Sequence, residues 1–162
     1  MAIRAASEEE FEQLWQIDQS CFPPGIAYSR GELQWYMRRP QAFTLVSEQD
    51  GQAAGFVLAD IAKVRRKAPP KKQLTAPAAE SVGHVITIDV LARYRREGVG
   101  TELLISAEKR LKENGCRTVL LETGVDNDSA IRFYKKHGYT ILRTIPRYYM
   151  GQLDAFLMGK KL

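Results

Sequence analysis

Cysteine is scarce in this chain of 162 residues: Cys21 and Cys116 are the only two. A pair is too few for a disulfide framework or a cysteine-built zinc site. Cys21 ends an apolar helix face and Cys116 follows Gly115 at a helix end. Both read as small buried hydrophobes, with a covalent acyl carrier as the alternative. Long apolar runs are missing as well; nothing approaches the roughly 20 residues of a membrane helix. The opening residues, Met1-Ala2-Ile3-Arg4 and then Ser7-Glu8-Glu9-Glu10, carry no apolar signal core. These absences predict a cytoplasmic protein with no membrane partner. No glycine is followed by Lys-Ser or Lys-Thr, which excludes a P-loop. The three-glycine fingerprint and repeated βαβ frame of a dinucleotide fold are missing too, and no internal repeat divides the sequence.

Hydrophobic residues make up 44% of the chain and charged residues 27%. That composition suits a single domain over residues 1–162 with a core of its own. The net charge of +5 is unevenly placed. Lys63, Arg65, Arg66, Lys67, Lys71 and Lys72, set against Glu80, hold the whole surplus. The basic segment 64–80 carries prolines, has little to bury and reads as a mobile loop. Such a loop could hold RNA or a ribosome surface, which would make the protein a binding module. It has no aromatic residue for base stacking, and a solvated charge run is the commoner explanation, so a nucleic-acid partner is not expected. A monomer or weak dimer is.

Spacing supplies the elements. Ile3–Ala5 reads as a strand. Ser7-x-x-Glu10 is a capping box ahead of a helix with Phe11, Leu14, Ile17 and Cys21 on one face. Ser29-x-x-Glu32 repeats the signal for a second helix, which Pro40 ends. Strands follow at Ala42–Ser47 and Ala53–Ala62 across Gln49-Asp50-Gly51, then at Val82–Leu91. Gly100–Asn114 is a helix with Leu103, Leu104, Ala107 and Leu111 inward, Gly115 as its C′ residue, and Glu108 paired with Lys112. Thr118–Thr123 is a buried strand and Asp128–His137 a short helix. Thr140–Ile145 and Asp154–Gly159 close the chain as a strand pair around a loop, Pro146–Leu153. The order β-α-α-β-β-β-α-β-α-β-β contains one βαβ crossover flanked by hairpins. It predicts an α/β fold, a mixed sheet with helices on both faces.

Arg95-Arg96-Glu97-Gly98-Val99-Gly100-Thr101 joins the third long strand to the long helix. Glycines let backbone N–H groups approach a ligand, and a helix start adds unpaired donors and a positive dipole end. With two arginines this makes a seat for a diphosphate; a basic helix start beside a tight turn is the competing reading. The pattern Arg-x-x-Gly-x-Gly after a strand resembles the acetyl-CoA loop of the GNAT (GCN5-related) N-acetyltransferases. The element order is that of the GNAT acyl-CoA N-acyltransferase fold over nearly the whole chain. A second stretch, Asn127-Asp128-Ser129-Ala130-Ile131-Arg132-Phe133-Tyr134-Lys135-Lys136-His137-Gly138-Tyr139, resembles the family's Asn-x-x-Ala-x-x-Phe-Tyr helix. A third, Tyr148-Tyr149 followed by Asp154-Ala155-Phe156-Leu157-Met158, resembles the protein N-terminal acetyltransferases, both the ribosomal-protein-alanine type and the NatE type. One departure is Arg93, where the family often has proline; it bears on loop stiffness.

The resemblance implies an acetyl-CoA-dependent enzyme that acetylates a free amine by direct attack on the thioester and releases CoA. The acceptor implied is a protein or peptide N-terminus, for instance that of a ribosomal protein; a small-amine or lysine acetyltransferase is the alternative. A terminal α-amine has a pKa near 8 against about 10.4 for lysine, so more of it is neutral. Arg95, Arg96, Gly98, Gly100 and Thr101, with backbone donors of Glu97 and Val99, would hold the CoA diphosphate. Ile88, Asp89 and Val90 would pair with the pantetheine arm, near a bulge that frees a backbone N–H for the thioester oxygen. Asn127 and Phe133 would flank the arm, although Asn127 also reads as a helix cap and Phe133 as core. Glu122 interrupts Val119-Leu120-Leu121, where a carboxylate is costly unless paired or facing a cleft. It is the base candidate, with a salt-bridged structural role as the alternative. His84, alternating with Ile86 and Ile88 on one strand face, is the second base candidate or a structural histidine. Tyr134 would give its proton to the leaving thiolate, with plain core packing as the alternative. His137 reads as a helix-end dipole partner. Phe22, Pro23, Ile26 and Tyr28, with Tyr148 and Tyr149, would clamp the acceptor from two loops. No metal is implied.

Overall fold

The computed structural model describes residues 2–65 and 79–162. The middle of the basic segment, and the mobility expected of it, lie outside them. Strands β1 (Ala2–Ala5), β2 (Phe43–Gln49), β3 (Gln52–Arg65), β4 (Ala79–Val90), β5 (Thr118–Gly124), β6 (Thr140–Tyr149) and β7 (Leu153–Lys161) form one sheet in the order β1-β2-β3-β4-β5-β7-β6. Helices α1 (Phe11–Cys21), α2 (Arg30–Met37), α3 (Val99–Glu113) and α4 (Asp128–Lys136) complete the expected order. β4 and β5 are parallel, and every other neighbouring pair is antiparallel.

Alternation along the central strands divides the core. Val57 and Ala59 of β3 join Leu103, Leu104, Ala107 and Leu111 of α3 on one face. Phe56 and Leu58 join Leu14 and Ile17 of α1 and Leu33 of α2 on the other. No helix among the described residues is long and apolar enough to cross a membrane.

The helix signals hold in detail. The Glu10 carboxylate accepts from Ser7 N at 2.8 Å, and Ser29 Oγ accepts from Glu32 N at 3.2 Å. Gly115 takes φ +87° after α3, a left-handed geometry that glycine adopts without strain. The expected Glu108–Lys112 pair is replaced. Glu108 takes Lys160 Nζ and the Tyr139 hydroxyl, each at 2.9 Å, because β7 and the turn after α4 bring these donors over its half-buried carboxylate.

The last strand pair is longer than expected. Pro146–Tyr149, read as loop, belongs to β6. β6 is an edge strand, where the missing N–H of Pro146 removes no ladder bond from the sheet interior. Pairing slips between Ile145 and Tyr149, and Arg147 sits at φ +54° within that bulge.

Two features open the centre of the sheet. Among the described residues, β4 pairs with β5 only at Val82, Gly83 and His84, opposite Thr118, Val119 and Leu120. Beyond His84 the two strands part. On the β3 side, Leu58 pairs with Thr87 but Ala59 with Val85, so Ile86 is an extra residue. This bulge lies ahead of the Ile88–Val90 stretch where it was expected, and it reverses the strand's facing. His84 and Ile86 share the α1/α2 face as anticipated, but Ile88 turns to the α3 face, packing against the α3 core as Val85 and Val90 do.

Candidate functional site

The loop from β4 to α3 is built to expose donors. Ala92–Tyr94 forms one 3-10 turn, pinned where Arg93 stacks on Tyr94 and donates to Gln52 Oε1 at 2.9 Å. A side-chain anchor thus stands where a proline would stiffen the loop. Arg96 at φ +64° and Gly98 at φ +87° turn the chain twice into the left-handed region. The first α3 hydrogen bond runs from Glu102 N to Gly98 O at 3.0 Å. The N–H groups of Val99, Gly100 and Thr101 precede it and have no partner within the helix. Among the described residues, no atom beyond its chain neighbours lies within 4 Å of where a Gly98 Cβ would stand, whereas a Gly100 Cβ would meet Phe133 at 3.5 Å. Arg95, Arg96 and Glu97 are exposed around this cradle. The donors and open space fit a diphosphate.

The gap between β4 and β5 continues from the cradle. Ile88 and Val90 stand on its β4 side; Val90 O accepts from Arg95 Nε at 3.0 Å and from Cys21 Sγ at 3.4 Å. The Asp89 side chain turns away, fully buried toward α1, so only its backbone can face a ligand here. Phe133 and Tyr134 pack from α4, with ring centroids 5.3 Å apart. Burial above all, then the Asp89 charge, keeps the Tyr134 phenol protonated well beyond its ordinary range. Asn127 caps α4, its oxygen accepting from Ala130 N at 3.2 Å. His137 closes the same helix: Nδ1 must carry a proton, since it lies 2.8 Å from the Phe133 carbonyl oxygen.

His84 and Glu122, considered separately as bases, are partners. His84 Nε2 lies 2.6 Å from Glu122 Oε2, across the last paired rungs of β4 and β5. Behind His84 is Asp60 of β3, 2% exposed, with its carboxylate 3.8 Å from Nδ1 and 2.7 Å from Arg39 Nη1. Burial pulls the imidazole toward neutrality, but the hydrogen bond and charge of Glu122, helped by Asp60, outweigh it and raise the pKa. The result is a chain of charge, Arg39–Asp60–His84–Glu122, aligned on the α1/α2 face.

The two predicted acceptor segments meet over this chain. Phe22, Ile26 and Tyr28 are half-buried and Pro23 is exposed in the α1–α2 connection. Tyr28 packs edge-on to Tyr36 at 5.4 Å. Tyr148 and Tyr149, at the end of β6 and not in a loop, stack edge-on at 4.8 Å. Burial first, then the negative charge of Glu122, pushes the Tyr149 phenol up to about 12. Met150 closes the contact: its Sδ lies 2.1 Å from where a Gly25 Cβ would stand, and Gly25 itself takes φ +91°, a left-handed geometry that favours glycine.

Sequence reasoning missed Arg39, Asp60, Tyr36 and Met150. Asp60 carried a usable signal, because it breaks the apolar run Val57-Leu58-Ala59-Asp60-Ile61 as Glu122 breaks its own. Among the described residues, no group of three or more His, Cys, Asp or Glu is arranged to hold a metal ion.

Comparison with known proteins matches this geometry. The profile of the Acetyltransferase (GNAT) family fits residues 11–139. An N-alpha-acetyltransferase of Sulfurisphaera tokodaii is 32% identical over 161 residues, 99% of this chain and 92% of that protein. The structure of Arabidopsis thaliana NAA60 in complex with acetyl-CoA aligns with TM-score 0.81 at 23% identity, over 99% of this chain and 98% of that one. The ribosomal-protein-S18-alanine N-acetyltransferase of Escherichia coli aligns with TM-score 0.78 at 20% identity, over 99% and 92%. The chain belongs to the GNAT family and is an N-acetyltransferase that draws its acetyl group from acetyl-CoA.

Proposed function

We propose that the acceptor is the N-terminal α-amine of a cytoplasmic protein and that the whole chain acts as one catalytic domain. The observation that carries this reading is the His84–Glu122 contact of 2.6 Å beneath the tyrosines of the α1–α2 and β6–β7 segments. Tyrosines from two segments gathered over a base suit the flexible end of a peptide better than a lysine held on a folded surface. The full-length relative from Sulfurisphaera tokodaii, named an N-alpha-acetyltransferase, supports it.

Bound acetyl-CoA supplies the acetyl thioester. Arg95, Arg96 and the N–H groups from Glu97 to Thr101 would hold its diphosphate, and the β4 backbone at Ile88–Val90 would hold the pantetheine arm beside Asn127 and Phe133. Backbone N–H groups freed where β4 leaves β5 would be the donors available to the thioester oxygen. Phe22, Pro23, Ile26, Tyr28, Tyr148 and Tyr149 orient the acceptor. The His84–Glu122 pair takes the proton that the amine loses, and Asp60 and Glu122 offset the charge of the imidazolium. Tyr134 gives its phenolic proton to the thiolate.

The test is CoA-thiol release from acetyl-CoA with peptides bearing free N-termini, with Nα-blocked lysine peptides and polyamines alongside. Release with free α-amines alone is expected. Release confined to the blocked peptides or polyamines overturns the acceptor assignment and leaves the family intact.

A further inference from the structure

Asp18 of α1 and Asp89 of β4 are both 0% exposed, and the side chain of neither has a role in the chemistry above. Their carboxyl groups face one another within hydrogen-bonding range. Each is half satisfied. Asp18 Oδ2 accepts from Tyr28 N at 2.8 Å and from Gln19 Nε2 at 3.4 Å. Asp89 Oδ1 accepts from Thr87 Oγ1 at 2.6 Å. Asp18 Oδ1 and Asp89 Oδ2 are buried with no hydrogen-bond partner among the described residues. Two facing carboxylates shut off from bulk solvent do not both stay ionised. One proton between the orphaned oxygens resolves both problems: one oxygen becomes a donor, the other accepts, and a single negative charge remains.

We propose that Asp18 and Asp89 share one proton, and that this proton latches the acceptor side of the site to the strand that seats the acetyl donor. Tyr28 ends the acceptor segment and is tied to Asp18 through its backbone N–H; Asp89 lies between Ile88 and Val90. The latch makes Asp18 a positioning residue, and its effect on the acceptor rests on the proposed function. Other groups face the pair from each packed element. Glu32 of α2 opposes ionisation of Asp18, and Arg95 after β4 favours ionisation of Asp89. Cys21 of α1 and Tyr134 of α4 are neutral neighbours with raised pKa values. Burial first, then the charge of Asp18, holds Asp89 well above the ordinary carboxylate range. The one-proton state lies between the pair's two titration steps: it is lost as pH rises through the upper step, which burial lifts above the ordinary carboxylate range, and a second proton joins as pH falls through the lower one.

The test compares wild type with Asp18→Asn and Asp18→Ala. An asparagine donates from its amide where the shared proton stood, and its oxygen still accepts from Tyr28 N. The carboxyl carbon resonance of Asp89 in wild type is expected to titrate above the normal aspartate range; titration in the ordinary range overturns the proposal. Exchange of the Tyr28 amide proton, at equal pH, is expected to quicken about tenfold in Asp18→Ala and to stay near wild type in Asp18→Asn. Equal protection in Asp18→Ala, or equal loss in both variants, overturns it. With a synthetic peptide carrying a free N-terminal alanine, KM is expected to rise about tenfold in Asp18→Ala with little change in kcat. The ratio between variants at one pH cancels titration of the peptide amine. If the peptide is no substrate for any of the three proteins, the acceptor reading fails while the carbon and amide readouts still decide the latch.

Discussion

The two faces of the sheet are built from different materials. Against α3 the core is aliphatic, with Leu103, Leu104, Ala107 and Leu111 closed over Val57, Ala59 and Val119. Against α1 and α2 lie three buried carboxyl groups, Asp18, Asp60 and Asp89, among Leu14, Leu33 and Phe56. Burying such groups is unfavourable unless each finds a donor or a proton. The α3 face secures the fold and presents the helix start to the cofactor, while the α1/α2 face spends stability on charge placed near the reaction. The contrast is open to direct attack from either side.

The largest effect is expected where charge meets the gap between β4 and β5. His84→Ala or Glu122→Gln should lower kcat by roughly 10²–10⁴ with acetyl-CoA affinity nearly unchanged. The Glu122 hydrogen bond and charge raise the His84 pKa against burial. Activity of the wild type should therefore fall on the acid side with a midpoint above the ordinary histidine range. In Glu122→Gln that limb should move to lower pH, as the raising influence is gone. A pH–rate profile whose acid limb stays fixed in Glu122→Gln would leave Glu122 a structural partner only.

The opposite face should respond in stability and not in rate. Leu111 is fully buried and fills the space that a Gly83 Cβ would enter at 2.7 Å. Leu111→Ala should cost about 2–5 kcal/mol, read from the denaturant midpoint, with kcat per folded molecule unchanged. A proportionate loss of kcat would show that the α3 face is not mechanically separate from the site.

This division also governs what could be read from the chain. Short-range patterns were legible: the Arg95–Thr101 turn, the caps at Ser7, Ser29 and Asn127, and the apolar stripe of α3. So was the fold, because its order of elements needs only periodicity and turn residues. The pairing of His84 with Glu122 spans 38 residues, and the bulge at Ile86 that flips the strand leaves no mark in the alternation. The length of β6 was hidden by Pro146, a stop signal in general that an edge strand tolerates. Asp60 and Asp89 each interrupt an apolar strand, but the partners that come from other elements, Asp18 of α1 for Asp89 and Arg39, two residues past α2, for Asp60, are distant in sequence. No local spacing encodes those.

Tyr134 packs against the α3 core and also lies near enough to Asp89 and Tyr149 to feel their charge. Tyr134→Phe keeps the ring and removes only the hydroxyl. Turnover should fall about tenfold or more while acetyl-CoA affinity holds, measured by single-turnover kinetics against equilibrium binding. Unchanged turnover would return Tyr134 to core packing, and the thiolate would then take its proton from water.

The smallest effect is expected at the rim. Arg4 holds Glu10 through hydrogen bonds of 2.6 and 2.9 Å and also takes Glu48 at 2.7 Å. The Arg4 hydrogen bonds, opposed by burial and aided by the Ser7 N–H, bring the Glu10 carboxyl down to about 2. A depressed carboxylate adds stability above its unfolded pKa and loses it as pH falls through the folded one. Arg4 is 39% exposed, so water and salt screen most of the attraction and the pair contributes well under about 1 kcal/mol. Glu10→Gln should therefore lower the thermal midpoint slightly at neutral pH. The gap to wild type should narrow as pH drops from about 4.5 to about 2, the span between the ordinary and the folded values. A constant gap across that window would mean that the substituted amide fails to cap the Ser7 N–H, and that helix geometry rather than charge is what Glu10 supplies.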